Sequence, residues 1–192
     1  MMNVMKPFLL TFFILLLMNT PTNAEEKMNA DVRKTTLNWH GEKVLGHHTG
    51  TILLRDGWII FDNNRITSGE FTIDMTTIKD DDSNERLEGH LKSDDFFGVD
   101  KHPLSKIVIL ESEAFDKGKG LVKGHLTIKG ITHPVEFSAT MQKNNEGTSF
   151  FALIIVDRSK YNVRYGSGSF FENLGDKAIY DEFRVRVNLH LN

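Results

Sequence analysis

Regular alternation of apolar and polar residues constrains the fold of this chain more than any other feature. Across residues 183–191, every odd-numbered residue is apolar and every even-numbered residue is polar. This period of two is typical of a β-strand that buries one face and exposes the other. Residues 70–75 and 126–128 show the same period. The chain is therefore predicted to fold mainly into strands, about eight in number.

Turn residues recur between these segments at intervals that suit short connections between antiparallel strands. Turns are predicted at Gly41, Asp56-Gly57, Asn63-Asn64, Gly118-Lys119-Gly120, Lys129-Gly130 and Asn144-Asn145-Glu146-Gly147. Because no long helix is predicted to cover a face, the sheet must form a sandwich or a closed barrel, and only closure removes both edges. Such a barrel either has a solid core or holds one ligand. The 14 Phe residues of the chain fit both interpretations.

One segment breaks the alternation and predicts a lid. Asp82 and Glu85 have the spacing of a capping box, which predicts a short helix that runs through Leu91. Phe96 and Phe97 follow, and neighbouring residues in a strand point to opposite faces, so one strand face cannot bury both rings. We expect this segment to lie across one end of the barrel with its aromatic rings directed into the lumen.

The beginning of the chain is typical of a secretory signal. An apolar run over residues 8–18 is followed by the small residues 22–24. The run is shorter than the about 20 apolar residues that span a membrane. We therefore predict a signal peptide over residues 1–24 that is cleaved, one domain over residues 25–192, and no stable membrane insertion afterwards.

Composition excludes several classes of function. The chain has 23 Lys and Arg against 26 Asp and Glu, a net charge of -3, and the basic residues are not clustered, which argues against nucleic-acid binding. It has no cysteine, so disulfides, thiol catalysis and Cys-ligated zinc are excluded. No His-Glu-x-x-His motif occurs. No metal or other cofactor is expected.

One compact group has the residue types of a catalytic site. His90, Ser93, Asp94 and Asp95 lie close together in the sequence. A serine in this position more often caps a turn, and no oxyanion site is recognisable nearby. A structural role is therefore favoured over catalysis.

Three longer motifs resemble the YceI family of secreted lipid-binding proteins. They cover residues 90–103 (HLKSDDFFGVDKHP), 124–135 (GHLTIKGITHPV) and 157–166 (DRSKYNVRYG). The resemblance implies an extended, lipocalin-like antiparallel β-barrel of eight strands. It also implies a tunnel that holds a polyisoprenoid or a similar long-chain amphiphile, a periplasmic location and no catalytic activity.

The alternation then suggests which residues contact such a ligand. Inward-facing and lid residues are the candidates for the apolar wall: Phe71, Ile73, Phe96, Phe97, Leu126, Ile128, Phe137, Phe183 and Val185. Candidates for contact with a polar head at the rim are Arg86, His90 and Lys92.

Other interpretations stay open at this point. The same fold could bind a fatty acid or fatty amide in envelope stress. An enzyme could use His90 with Asp94 or Ser93, and a solid core would indicate a structural or interaction protein. Association of two barrels into a homodimer is also left open.

Overall fold

The alternating segments form one continuous antiparallel sheet that closes into a barrel. A computed structural model describes residues 25–145 and 147–192, so the signal peptide predicted over residues 1–24 lies outside the described residues. The strands are β1 (Glu26–Asn29), β2 (Thr36–Lys43), β3 (Gly46–Asp62), β4 (Arg65–Asp80), β5 (Leu104–Ser112), β6 (Lys119–Ile128), β7 (Ile131–Asn144), β8 (Gly147–Asp157) and β9 (Ile179–Leu191). The expected eight-stranded antiparallel barrel is confirmed, with β1 as one additional strand.

Pairing between the first and last long strands closes the barrel. β2 pairs with β3 on one side and with β9 on the other, and each later strand pairs with its neighbour in the chain. β1 pairs with the second half of β3, after the residues of β3 that pair with β2. Strands β2 to β9 therefore form a ring without a free edge, which removes the exposed N–H and C=O groups that favour aggregation.

Most predicted turns join consecutive strands. Asn63-Asn64 connects β3 to β4, Lys129-Gly130 connects β6 to β7, and Asn145 lies in a turn directly after the end of β7. Gly118 lies just before β6 and has a positive φ of 77°, a backbone conformation that glycine adopts without strain.

Two predicted turns are wrong, because Gly41 lies within β2 and Asp56-Gly57 lies within β3. The register between β3 and β4 shifts between Leu54 and Asp56, so this part of β3 contains a bulge instead of a turn. Gly57 pairs with Phe71, and a Cβ atom at Gly57 would overlap the Phe71 ring. The glycine therefore makes room for an inward-facing aromatic side chain.

Two long connections cover the same end of the barrel, which we call the lid end. Residues 81–103 join β4 to β5 and include α1 (Glu85–Lys92), and residues 158–178 join β8 to β9. Phe96 and Phe97 are both buried, which confirms the predicted lid with its rings turned inward. Within residues 25–145 and 147–192, no helix is both long and apolar enough to cross a membrane.

Helix α1 begins later than the capping-box prediction placed it. Asn84 is the capping residue, because its Oδ1 accepts a hydrogen bond of 3.0 Å from the backbone N–H of Leu87. The predicted start at Asp82 is wrong. The backbone N–H groups of Asp82 and Asn84 donate to Oδ2 of the buried Asp80 over 3.2 and 3.3 Å, which holds this stretch in a turn.

A buried carboxylate fastens α1 to the end of β4. Glu88 Oε2 accepts a hydrogen bond of 2.9 Å from Lys79 Nζ, and Glu88 Oε1 accepts one of 3.2 Å from the backbone N–H of Asp80. Glu88 is buried, so both of its oxygens are held inside the contact. The hydrogen bond from Lys79 is the main cause that lowers the pKa of Glu88.

This contact predicts a stability difference that depends on pH. Because the pKa of Glu88 in the folded protein lies below its ordinary value of 4.5, its contribution is complete above pH 4.5 and is lost as the pH falls through the folded value. We expect Glu88→Gln to lower the melting temperature at pH 7, and we expect the difference from the wild type to shrink in strong acid. Thermal unfolding followed by circular dichroism, at pH 7 and in strong acid, measures the difference in melting temperature. Glu85→Gln, on the exposed side of the same helix, is the control, and an equal effect of both variants would contradict the assignment.

Candidate functional site

The barrel encloses an apolar cavity of about 230 Å³. Its wall is formed by the inward faces of β2 to β9 and by side chains of the 81–103 connection. The long inner surface contains Leu37 and Leu189 near the end opposite the lid, and Leu91 and Phe97 near the lid end. An apolar cavity of about 150 Å³ is already large enough to stay dry and accept a small hydrocarbon. The interior is therefore a site for an apolar ligand.

The period of two along the strands explains why the wall is apolar. In β9, for example, Phe183, Val185, Val187 and Leu189 all border the cavity, while the residues between them lie on the outer face. All nine residues proposed for the apolar wall border this cavity: Phe71, Ile73, Phe96, Phe97, Leu126, Ile128, Phe137, Phe183 and Val185. Their contact with a ligand stays a prediction.

Aromatic rings close the lid end of the cavity. The rings of Phe96 and Phe97 lie edge to face with centroids 5.0 Å apart, and the Phe97 ring contacts that of Phe183 at 6.3 Å. Such edge-to-face contacts are favourable for aromatic pairs. The lid is thus packed against the barrel wall through the contact between Phe97 and Phe183 of β9.

Arg158 is a buried cation at the lid end that the sequence reasoning missed. Its side chain is 2% exposed, and it borders the cavity directly after the end of β8. The alternation could have identified it, because Ile154, Val156 and Arg158 follow one another at a spacing of two on the inward face.

The hydrogen bonds of Arg158 join the two sides of the β8–β9 connection. Nη1 donates to the carbonyl oxygens of Val163 and Tyr165 over 2.9 Å each, Nη2 donates to Ile179 over 3.0 Å, and Nε donates to Tyr180 over 3.1 Å. The Asp181 carboxylate lies 3.4 Å from Nη2. Burial lowers the pKa of Arg158, and the nearby Asp181 opposes this shift. An arginine keeps its charge under such conditions, so these bonds are charge-assisted.

The residues proposed for a polar head lie outside the cavity. Arg86 is exposed on α1, and His90 and Lys92 are half-buried at the end of the same helix. The His90 ring packs edge to face against Phe96 and Tyr165, with centroid distances of 5.7 and 4.2 Å. None of the three borders the cavity, and any contact of theirs with a ligand head also stays a prediction.

The compact polar group in the 90–95 stretch is divided among separate contacts. Ser93 Oγ donates to the backbone carbonyl of His90 over 2.7 Å, as expected at the end of a helix. Asp94 instead binds Lys101 Nζ at 2.5 Å, and that hydrogen bond lowers the pKa of Asp94. Within residues 25–145 and 147–192, no three His, Asp or Glu side chains gather closely enough to hold a metal ion.

The fold and the cavity define a lipocalin-like class of protein, a closed antiparallel barrel around an apolar interior. The chain belongs to the YceI-like family, whose sequence profile matches residues 28–191. It is 33% identical over 86 residues to a UPF0312 protein of Shewanella denitrificans, a match that covers 44% of each chain. It is 31% identical over 123 residues to a UPF0312 protein of Staphylococcus epidermidis, which covers 60% of this chain and 69% of that protein.

Two solved structures share the fold over most of the chain. BcnA of Burkholderia cenocepacia superimposes with a TM-score of 0.72 at 21% identity, covering 85% of this chain and 99% of BcnA. A polyisoprenoid binding domain from Saccharophagus degradans, implicated in plant cell wall breakdown, superimposes with a TM-score of 0.63 at 13% identity. That match covers 86% of this chain and 97% of the domain. At these identities the structures establish the common architecture.

Removal of the Arg158 side chain is expected to destabilise the lid end. Arg158→Leu would leave four carbonyl oxygens without their donor, and we expect the free energy of unfolding to fall by about 3 kcal/mol or more. Urea unfolding followed by fluorescence measures this. Arg164→Leu is the control, because Arg164 is exposed and its side chain donates a hydrogen bond to the neighbouring Asn162 side chain. Similar losses in both variants would contradict the role of Arg158.

Proposed function

We propose that this protein is a non-enzymatic binding protein that holds a polyisoprenoid or a similar long-chain amphiphile in its barrel, as a carrier, buffer or store. The observation that carries the proposal is the apolar cavity that runs between the lid end and the opposite end of the barrel. Membership of the YceI-like family and the fold shared with a polyisoprenoid binding domain support the same ligand class. The cavity favours this proposal over a structural or interaction protein with a solid core.

Burial of the chain supplies the binding free energy. Each CH₂ group removed from water contributes about 0.8 kcal/mol, so a dozen buried carbons contribute on the order of 10 kcal/mol before the costs of association. The cavity wall is almost entirely apolar, so the affinity is expected to follow the length of the chain that fits inside. The alternative within the same fold is a binder of a fatty acid or fatty amide in envelope stress, which uses the same wall.

The proposed site of action is the periplasm, after removal of residues 1–24. The apolar run and the small residues that follow it support this proposal. The mass of the protein recovered from the periplasm tests it, because cleavage after Ala24 leaves a chain that begins at Glu25. A protein that is retained in the cytoplasm at full length would contradict it. The sequence leaves open whether two barrels associate into a homodimer, and light scattering measures this.

The identity of the retained compound tests the ligand class. Native mass spectrometry of protein purified without detergent is expected to show one protein and one lipid, and the mass of the lipid separates a polyisoprenoid from a fatty acid or amide. A protein that arrives empty and does not bind added long-chain lipids would contradict both. A turnover that depends on His90 would instead support the enzymatic interpretation.

Gly41 offers a direct test of the cavity as the binding site. It lies on the inward face of β2 and borders the cavity, and a Cβ atom built there meets no other atom within 4 Å. The Cβ atom of Gly41→Leu therefore fits without overlap, and the rest of the side chain extends into the cavity. Displacing about three CH₂ groups of the ligand would cost about 2.4 kcal/mol, so we expect the Kd to rise roughly fiftyfold.

Titration calorimetry with a delipidated sample measures this change, and the melting temperature shows that the variant is folded. Gly89→Leu is the matched control, because Gly89 is exposed on α1 and a Cβ atom there also meets nothing within 4 Å. The control is expected to bind as the wild type does. Unchanged affinity in Gly41→Leu would mean that the ligand does not occupy this cavity.

A further inference from the structure

Ser105 places a hydroxyl group on the otherwise apolar inner wall. It is the second residue of β5 and lies on the inward face together with Ile107 and Ile109, and all three border the cavity. Ser105 is only 5% exposed. Its Oγ is buried and has no hydrogen-bond partner within the described residues.

Buried hydroxyl groups without a partner are uncommon, because the lost hydrogen bonds to water are not replaced. Within residues 25–145 and 147–192, five buried side-chain atoms lack a hydrogen-bond partner, and Ser105 Oγ is the one among them whose residue borders the cavity. Since a serine hydroxyl can donate one hydrogen bond and accept others, a polar atom of a bound molecule would satisfy it.

The other polar side chains that border the cavity either form hydrogen bonds within the protein or lie partly in solvent. Thr35 Oγ1 accepts a hydrogen bond of 3.1 Å from the backbone N–H of His190, and Trp39 Nε1 donates to the Lys79 carbonyl over 3.1 Å. The Arg158 guanidinium is held by backbone carbonyl oxygens. Tyr180 is 52% exposed. In the described part of the chain, Ser105 is therefore the buried polar group on this wall that is available to a ligand.

The polar side chains that border the cavity also determine which charge a bound polar group can carry. Among the described residues that border the cavity, Arg158 is the one cation, and its donors are committed to backbone carbonyl oxygens. An ionised carboxylate or phosphate next to Ser105 would therefore be buried without a cation to pair with, which is strongly unfavourable. An uncharged oxygen, such as that of an alcohol, a carbonyl or an ether, needs only the single hydrogen bond that Ser105 can provide.

We propose that Ser105 is the polar anchor of the cavity and binds the oxygen of an uncharged long-chain amphiphile. β5 begins directly after the 81–103 connection, so Ser105 lies near the lid end. The oxygen-bearing end of the ligand is thus held beneath the lid, and the tail extends towards Thr35 and Leu189 at the opposite end. This inference rests on the proposed lipid-binding function and adds the class and orientation of the ligand.

Two probes with the same number of heavy atoms test this anchor, 1-dodecanol and n-tridecane. In Ser105→Ala we expect the affinity of the delipidated protein for 1-dodecanol to fall about tenfold, whereas the affinity for n-tridecane stays the same. The melting temperature of the empty variant is expected to equal or exceed that of the wild type, because a buried hydroxyl without a partner is removed. Ser105→Cys keeps the shape of the side chain, is slightly larger and is a weak hydrogen-bond donor, so it should show the same selective loss without leaving a gap in the wall.

Thr35→Val is the matched control, because it removes a cavity-lining hydroxyl that is already bonded to His190. This variant should melt at a lower temperature and should keep the wild-type ratio of alcohol to alkane affinity. An unchanged ratio in both Ser105 variants would overturn the anchor while leaving the lipid-binding function intact. Tighter binding of dodecanoate than of 1-dodecanol by the wild type would overturn the uncharged class. If the wild type bound none of the three probes, the proposed function itself would fail.

Discussion

Closure of the sheet between β2 and β9 is the constraint on which the rest of this structure depends. The pairing runs from Thr36 opposite Asn188 to Gly41 opposite Phe183 and leaves neither strand with a free edge along this length. Once the ring is closed, the inward faces of the strands must surround a common lumen, because the number and tilt of the strands set its width. The side chains of this chain leave part of that lumen unfilled, which is the cavity. Closure places the cavity inside the barrel, and the alternation along each strand makes its wall apolar.

The lid end is held by polar contacts that are directed away from the cavity. Arg158 binds four backbone carbonyl groups of the β8–β9 connection, and Glu88 binds Lys79 and the backbone of Asp80. A guanidinium group next to an apolar cavity would ordinarily attract an anionic ligand. Here its donors bind backbone carbonyl oxygens of the protein and the Asp181 carboxylate lies 3.4 Å away, so Arg158 orders the connection instead of binding a ligand. The barrel can therefore be closed at this end and still remain suitable for an uncharged ligand.

An apolar wall provides affinity more readily than selectivity, because the hydrophobic effect is proportional to buried area and has no direction. A barrel of this kind would accept many long-chain molecules of suitable width. Orientation and selectivity then require a directional contact, and a hydrogen bond to Ser105 is one that the described part of the chain offers inside the cavity. Membership of the YceI-like family agrees with a lipid-binding barrel, while the position of this hydroxyl belongs to the chain itself.

The alternation of apolar and polar residues was sufficient to predict the strands, their antiparallel connection and the inward position of residues such as Phe71 and Phe183, because side chains in a strand point to opposite faces in turn. The turn predictions at Gly41 and Asp56-Gly57 failed because a glycine within a strand can serve a close approach or an open space as well as a turn, and only the neighbouring strand shows which. The partners of Arg158 and the lack of one for Ser105 are likewise decided by tertiary structure. Ile179 and Tyr180 lie 21 and 22 residues from Arg158 in the sequence. Only the folded barrel places them within hydrogen-bonding distance of Arg158 and leaves Ser105 Oγ without a partner among the described residues.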